Sequence, residues 1–74
     1  VTCYHRHLSG LFAALDVPYD AAGRGRVHAA ILEVLHLPAD AHCPRVWGGL
    51  KASYGPRPGE DPQLVRDVSD ALPG

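Results

Sequence analysis

Prolines at positions 18, 38, 44, 56, 58, 62 and 73 cut this chain so closely that its longest stretches without one are residues 1–17 and 19–37. Proline lacks the backbone N–H that helix interiors and central strands need, and its ring clashes with the preceding helical turn. Any fold must therefore be assembled from short elements joined at the prolines. What lies between them decides which elements these are.

Tyr4, Leu8, Leu11, Phe12 and Leu15 recur at the i, i+4, i+7, i+8, i+11 spacing of one helical face, which predicts a helix over 3–15. Asp16 to Tyr19 interrupts it with Pro18. Asp20 is an N-cap residue, and Val27, Ile31, Val34 and Leu35 form the stripe of a second helix over 20–37. Gly23 and Gly25, each worth up to about 1 kcal/mol against a helix relative to Ala, predict fraying before Arg26.

A third helix is expected over 43–54, with Cys43 at the N-cap, Pro44 at the first helical position, Val46, Trp47, Leu50 and Tyr54 inward, and Gly55 at its end. Pro56 and Pro58 make 55–60 a turn-forming connector. Asp61 and Pro62 then open a fourth helix over 61–72, with Leu64, Val65, Val68 and Leu72 on its apolar side. No alternation of period two appears, so strands are not expected. The prediction is an all-α single domain, 1–74, a compact bundle of four short helices.

A chain of 74 residues has little apolar surface to bury, and domains of this size borrow stability from disulfides, a metal, oligomerisation or very regular helix packing. Two groups of residues offer that help: Cys3, His5 and His7 near the start, and His42 with Cys43 before the third helix. Residues four apart share a helical face, so Cys3 and His7 can address one ion, whereas His5 points away from it. A helix N-terminus favours a thiolate at Cys43.

Cys3, His7, His42 and Cys43 thus make a Cys2His2 set, a structural Zn(II) site clamping the first helix to the start of the third. Adjacent His42 and Cys43 depart from the usual ligand spacing, so His36 or His5 stands in reserve as the fourth ligand. His28 is expected on or beside an exposed helical face. Copper handling favours close Cys or Met pairs and the chain has no Met; an iron–sulfur cluster needs more than two cysteines. Buried thiols without metal are the alternative, as is a redox sensor in which Cys3 and Cys43 form a disulfide.

A net charge of −1 provides no basic field for a phosphate backbone. Gly23 to Arg26 lacks the strand and the Gly-Lys-Ser/Thr of a P-loop, and a helix-turn-helix reading leaves only Arg45 and Lys51 for a groove. No apolar run is long enough to span a bilayer and no signal-peptide pattern opens the chain, so it reads as cytoplasmic. Abundant Ala, Gly, Pro and Arg beside a single Lys, together with a Val at the start, fit GC-rich bacterial coding. Asp40, His42 and Cys43 are too close along the chain to converge as a nucleophile, base and orienting group, so no enzyme is expected. The expected role is protein interaction; Trp47, Tyr54 and Tyr4 fill the core, or Trp47 joins Tyr19 in a patch for a partner.

Overall fold

The computed structural model describes residues 4–72, with His5 and Arg6 described by their backbone alone. Four α-helices follow in order: α1 (Ser9–Leu15), α2 (Ala21–Leu35), α3 (Cys43–Tyr54) and α4 (Pro62–Ala71), with a 3-10 turn at His5–Leu8 running into α1 and another at Pro58–Glu60 before α4. No strand occurs among the described residues. The all-α bundle expected from the proline punctuation is the fold.

Its core is the set of stripes read from the spacing. Leu8, Leu11, Val27, Ile31, Val46, Leu50, Leu64 and Val68 are fully buried, with Tyr4, Phe12, Ala30 and Leu32 close behind. α4 packs on α2 and α1, and α3 on α2. Pro58 is fully buried as well, although a turn-forming connector gives no sequence reason for it.

Two helix ends depend on residues in the left-handed region. Asp16 and His36 both have φ of 57°, and the next residue in each case sends its N–H back over the last turn, Val17 to the Phe12 carbonyl at 3.0 Å and Leu37 to the Leu32 carbonyl at 2.9 Å. These are Schellman closures, in which the apolar residue after the left-handed one packs against the helix it has just left. Val17 is accordingly buried, and Leu37 is half-buried against the core.

Acids cap the starts of α2 and α4. Asp20 accepts from the Gly23 N–H at 2.7 Å and Asp61 from the Gln63 N–H at 2.8 Å. α2 is helical from Ala21 rather than from Arg26, and Gly23 has a packing reason for its place: a Cβ there would lie 1.9 Å from the Pro18 carbonyl oxygen. The loop 16–20 closes down on α2 at Gly23, where no side chain intervenes. Gly59 does the same for the 3-10 turn at 58–60, since a Cβ there would come within 2.7 Å of the His7 carbonyl oxygen.

Candidate functional site

The first helical segment does not run unbroken through His7. Residues 5–8 form a 3-10 turn, begun by the His7 N–H on the Tyr4 carbonyl, and Leu8 leaves helical geometry before α1 starts at Ser9. Three anchors hold this turn. Tyr4 is buried and its hydroxyl lies 2.5 Å from His28 Nδ1 on α2; Leu8 is fully buried; and the His7 ring stacks on Trp47 of α3, centroids 5.1 Å apart and planes 24° off parallel. Burial raises the Tyr4 hydroxyl well above the ordinary tyrosine range.

His42 is the exposed N-cap of α3, with extended backbone and no side-chain capping bond. Cys43 is one residue further in than expected, half-buried in the first turn. Its sulfur is in a disulfide bond. The one other cysteine in the chain is Cys3, which lies outside the described residues. Cys43 and Trp47 are four apart on α3 and share a face, and this is the face that His7, four residues after Cys3, covers.

Of the residues expected to bind zinc, His7 is therefore brought to the Cys43 side of α3, where its ring stacks on an indole, and the Cys43 sulfur is in a disulfide. A sulfur in a disulfide is no thiolate ligand. Among the described residues no three His, Cys, Asp or Glu side chains are grouped to hold an ion. His36, the reserve ligand, is exposed at the left-handed end of α2. The Asp40, His42 and Cys43 run supplies no thiol nucleophile in this state.

Around the stacked pair the surface is hollow. A groove of about 450 Å³ is lined by His7, Ser9, Gly10, Trp47 and residues 56–60. The Lys51 ammonium lies 5.6 Å from the centre of the Trp47 ring, and Arg57 and Glu60 meet across 3.7 Å with most of each side chain exposed. Trp47 is half-buried and so belongs both to the packing and to the groove. Tyr19 is exposed, edge-on to Phe12 at 4.9 Å, with the Arg24 guanidinium 5.4 Å above its ring; it lies outside the groove.

A second depression, between α2 and α4, is lined by Glu33, His36, Tyr54, Asp67 and Asp70, with Val34 and Ala71. Tyr54 donates to Asp67 Oδ2 at 2.6 Å and Gln63 to Oδ1 at 2.8 Å. The Tyr54 bond, then the Gln63 bond, hold the Asp67 carboxyl below the usual range, while desolvation and then the bonded carboxylate push Tyr54 up to about 12.

A lowered carboxyl contributes stability above its unfolded value and loses it as pH falls through its folded one; a raised phenol contributes below its unfolded value and loses it as pH rises. Stability should therefore decline below about pH 4 and again from about pH 10 toward 12. In urea titrations across pH, Tyr54→Phe should be less stable than the parent at pH 7, with the difference narrowing in acid, and its alkaline decline should be shallower though not abolished, since Tyr4 remains. Parallel profiles would show that the bond contributes nothing.

Comparison of the chain with protein families, curated proteins and solved structures finds no match.

Proposed function

We propose that this chain is a small helical binding module closed by a Cys3–Cys43 disulfide, with the Trp47 groove as its binding face. The observation that supports it is the disulfide on Cys43. Cys3 is its one possible partner within the chain, and the contact of His7 with Trp47 repeats the pairing four residues on in both segments. The bond would tie the groove's His7 wall to its Trp47 wall. It forms by exchange with a low-molecular-weight disulfide: the two thiols give up two hydrogens, and the oxidant leaves as two thiols.

Compartment separates two versions of this role. In an oxidising space the bond is permanent and structural; in a cytoplasm it is transient and the protein senses redox state. No helix is long and apolar enough to cross a membrane among the described residues. The zinc reading belongs to the reduced protein, where Cys43 regains its thiolate beside Cys3, His7 and His42.

Peptide mapping tests the pairing. Trypsin cleaves after Arg6, Arg26 and Arg45, so a non-reducing digest should hold peptides 1–6 and 27–45 together, and reduction should separate them with the gain of two hydrogens. Two free thiols in protein purified without reductant would sink the clamp. Stoichiometric zinc lost on Cys43→Ser would put the metal site in its place. Repeated opening and closing under mild peroxide and thiol would favour the sensor over the permanent bond.

A further inference from the structure

We propose that residues 4–8 are a strap beside the Trp47 groove, seated on Gly59 and locked by the Cys3–Cys43 bond, so that reduction releases the strap and opens the groove on its His7 side. This rests on the disulfide reading and names how the same binding face is regulated.

The strap is built apart from the helix that follows it. A bond from the His7 N–H to the Tyr4 carbonyl, 3.0 Å, closes its 3-10 turn, and Leu8 departs from helical geometry at φ −115° and ψ 19° before α1 begins. Short 3-10 turns have poorer hydrogen-bond geometry than an α-helix, so the strap can lift about Leu8 without unwinding α1. Its fixed points are the buried Tyr4 and Leu8. Between them it is lightly held, since His7 is exposed although its ring stacks on Trp47.

The seat is backbone. Apart from α1, the element that the strap packs against most is the 58–60 turn. At Gly59 an added Cβ would lie 2.7 Å from the His7 carbonyl oxygen, 3.3 Å from Leu8 Cδ2 and 3.4 Å from Leu8 Cα. Of the two turns in contact, that at 58–60 is the firmer: Pro58 is fully buried, and the Glu60 and Asp61 N–H groups return to the Arg57 and Pro58 carbonyls, both at 3.1 Å, as the chain enters α4. Crowding at Gly59 is therefore relieved by the strap.

The bond decides how freely the strap lifts. With Cys3 joined to Cys43, residues 4–8 move only within a ring closed at the start of α3, and without the bond that restraint is lost. Two low-molecular-weight thiols open it by exchange, giving two hydrogens to the cysteines and leaving as a disulfide. His7 lines the groove, so a lifted strap uncovers Trp47 on that side. Lifting is a local opening that precedes melting of the bundle.

Trypsin reads this opening, because the Arg6–His7 bond lies inside the strap whereas Arg26–Val27 and Lys51–Ala52 lie within α2 and α3. Brief digestion of the folded full chain, quenched in acid and reduced before mass spectrometry, gives a rate at each bond that follows the population of its open form. Cys3→Ser removes the disulfide with no reductant in the digest. It should be cut after Arg6 at least about tenfold faster than the oxidised parent, which is what the backbone freedom of a single residue amounts to. That rate should change little up to about 1 M urea, while the rates in α2 and α3 climb, because urea sensitivity scales with the surface exposed on opening. Gly59→Ala should raise cleavage after Arg6 by about tenfold with the bond intact. Gly48→Ala, whose Cβ meets nothing within 4 Å, should leave it unchanged.

Equal rates after Arg6 with and without the bond, one urea dependence shared by all three bonds, or a Gly59→Ala rate no higher than the parent's would overturn the proposal. If Gly59→Ala fails to fold, the Cys3→Ser rate and the urea dependences decide alone. Two free thiols in the purified parent would sink the disulfide clamp and the redox release together. Linked cysteine peptides with equal rates after Arg6 would leave the clamp standing and overturn the strap alone.

Discussion

Gly23→Ala should lower the melting temperature by roughly 10–20 °C, while Gly25→Ala, two residues along the same helix, should raise it by a few degrees. Intrinsic propensity predicts the same sign for both, since Ala is better than Gly in a helix by about 1 kcal/mol. Space separates them. At Gly25 an added Cβ meets nothing within 4 Å, so the propensity gain is realised in full. At Gly23 it meets the Pro18 carbonyl oxygen at 1.9 Å, with the Pro18 carbonyl carbon and a Val17 methyl both at 3.1 Å.

None of those atoms is a free end that can swing aside. Pro18 is held by its ring and Val17 is buried in the core, so relief requires the 16–20 loop to lift from α2. That movement would stretch the Asp20 cap on the Gly23 N–H, worth about 1 kcal/mol, and loosen Val17. Overpacking of this kind costs about 1–3 kcal/mol and sometimes more, which together with the cap exceeds the propensity gain. Thermal melts by circular dichroism decide it; a Gly23→Ala protein melting at or above the parent would show that the loop is not fixed where it is described.

The difference between these two glycines marks how far the sequence can be read. Composition and spacing identify both as poor helix formers and suggest that α2 frays there. They miss that Gly23 is required by a backbone five residues earlier, because the approach of a loop to a helix is tertiary information. The stripes were legible for the opposite reason: Val27 with Ile31, Val46 with Leu50, and Leu64 with Val68 are each four apart, and burying such pairs is a local consequence of helical geometry. Asp20 and Asp61 were legible as helix starts because capping is local too. Asp16 and His36 were not, since nothing in either residue type requires a left-handed backbone in the way that Gly55 suggests an end.

The site divides along the same line. Cys3 and Cys43 stood out by their chemistry, but pairing between them and ligation of one metal by them are indistinguishable from spacing. His28 was expected on or beside an exposed face, and there it is half-buried; what the expectation lacked is its contact with the Tyr4 hydroxyl. The available signal was Tyr4 itself, because a tyrosine placed in the core needs a hydrogen-bond partner for its oxygen. Which of the distant polar residues supplies it depends on how α2 packs on the first turn. Trp47 was ambiguous between core and surface, and its half-buried position makes both descriptions correct.

Reduction of the proposed Cys3–Cys43 bond should destabilise the protein by about 4 kcal/mol, the loop entropy expected when a closure of roughly 40 residues is released in the unfolded chain. A domain of this length has about 4–11 kcal/mol of stability in total, so this single bond would supply a large share of it. The melting temperature should fall by roughly 15–30 °C in the presence of a thiol reductant, and Cys43→Ser should melt close to the reduced parent. Tyr4 would still have its partner on α2 and Leu8 its place in the core, so the reduced chain should remain helical in the cold rather than unfold outright. Loss should appear first at the first turn: Trp47 emission should change on reduction at temperatures where helical content does not, because His7 leaves the indole before the bundle melts. A chelator separates this from a zinc clamp, since it should leave the oxidised protein's melt unmoved. A reductant that shifts neither the melt nor the Trp47 emission would mean that the first turn is held by Tyr4 and Leu8 alone and that the cysteines contribute nothing to closing the fold.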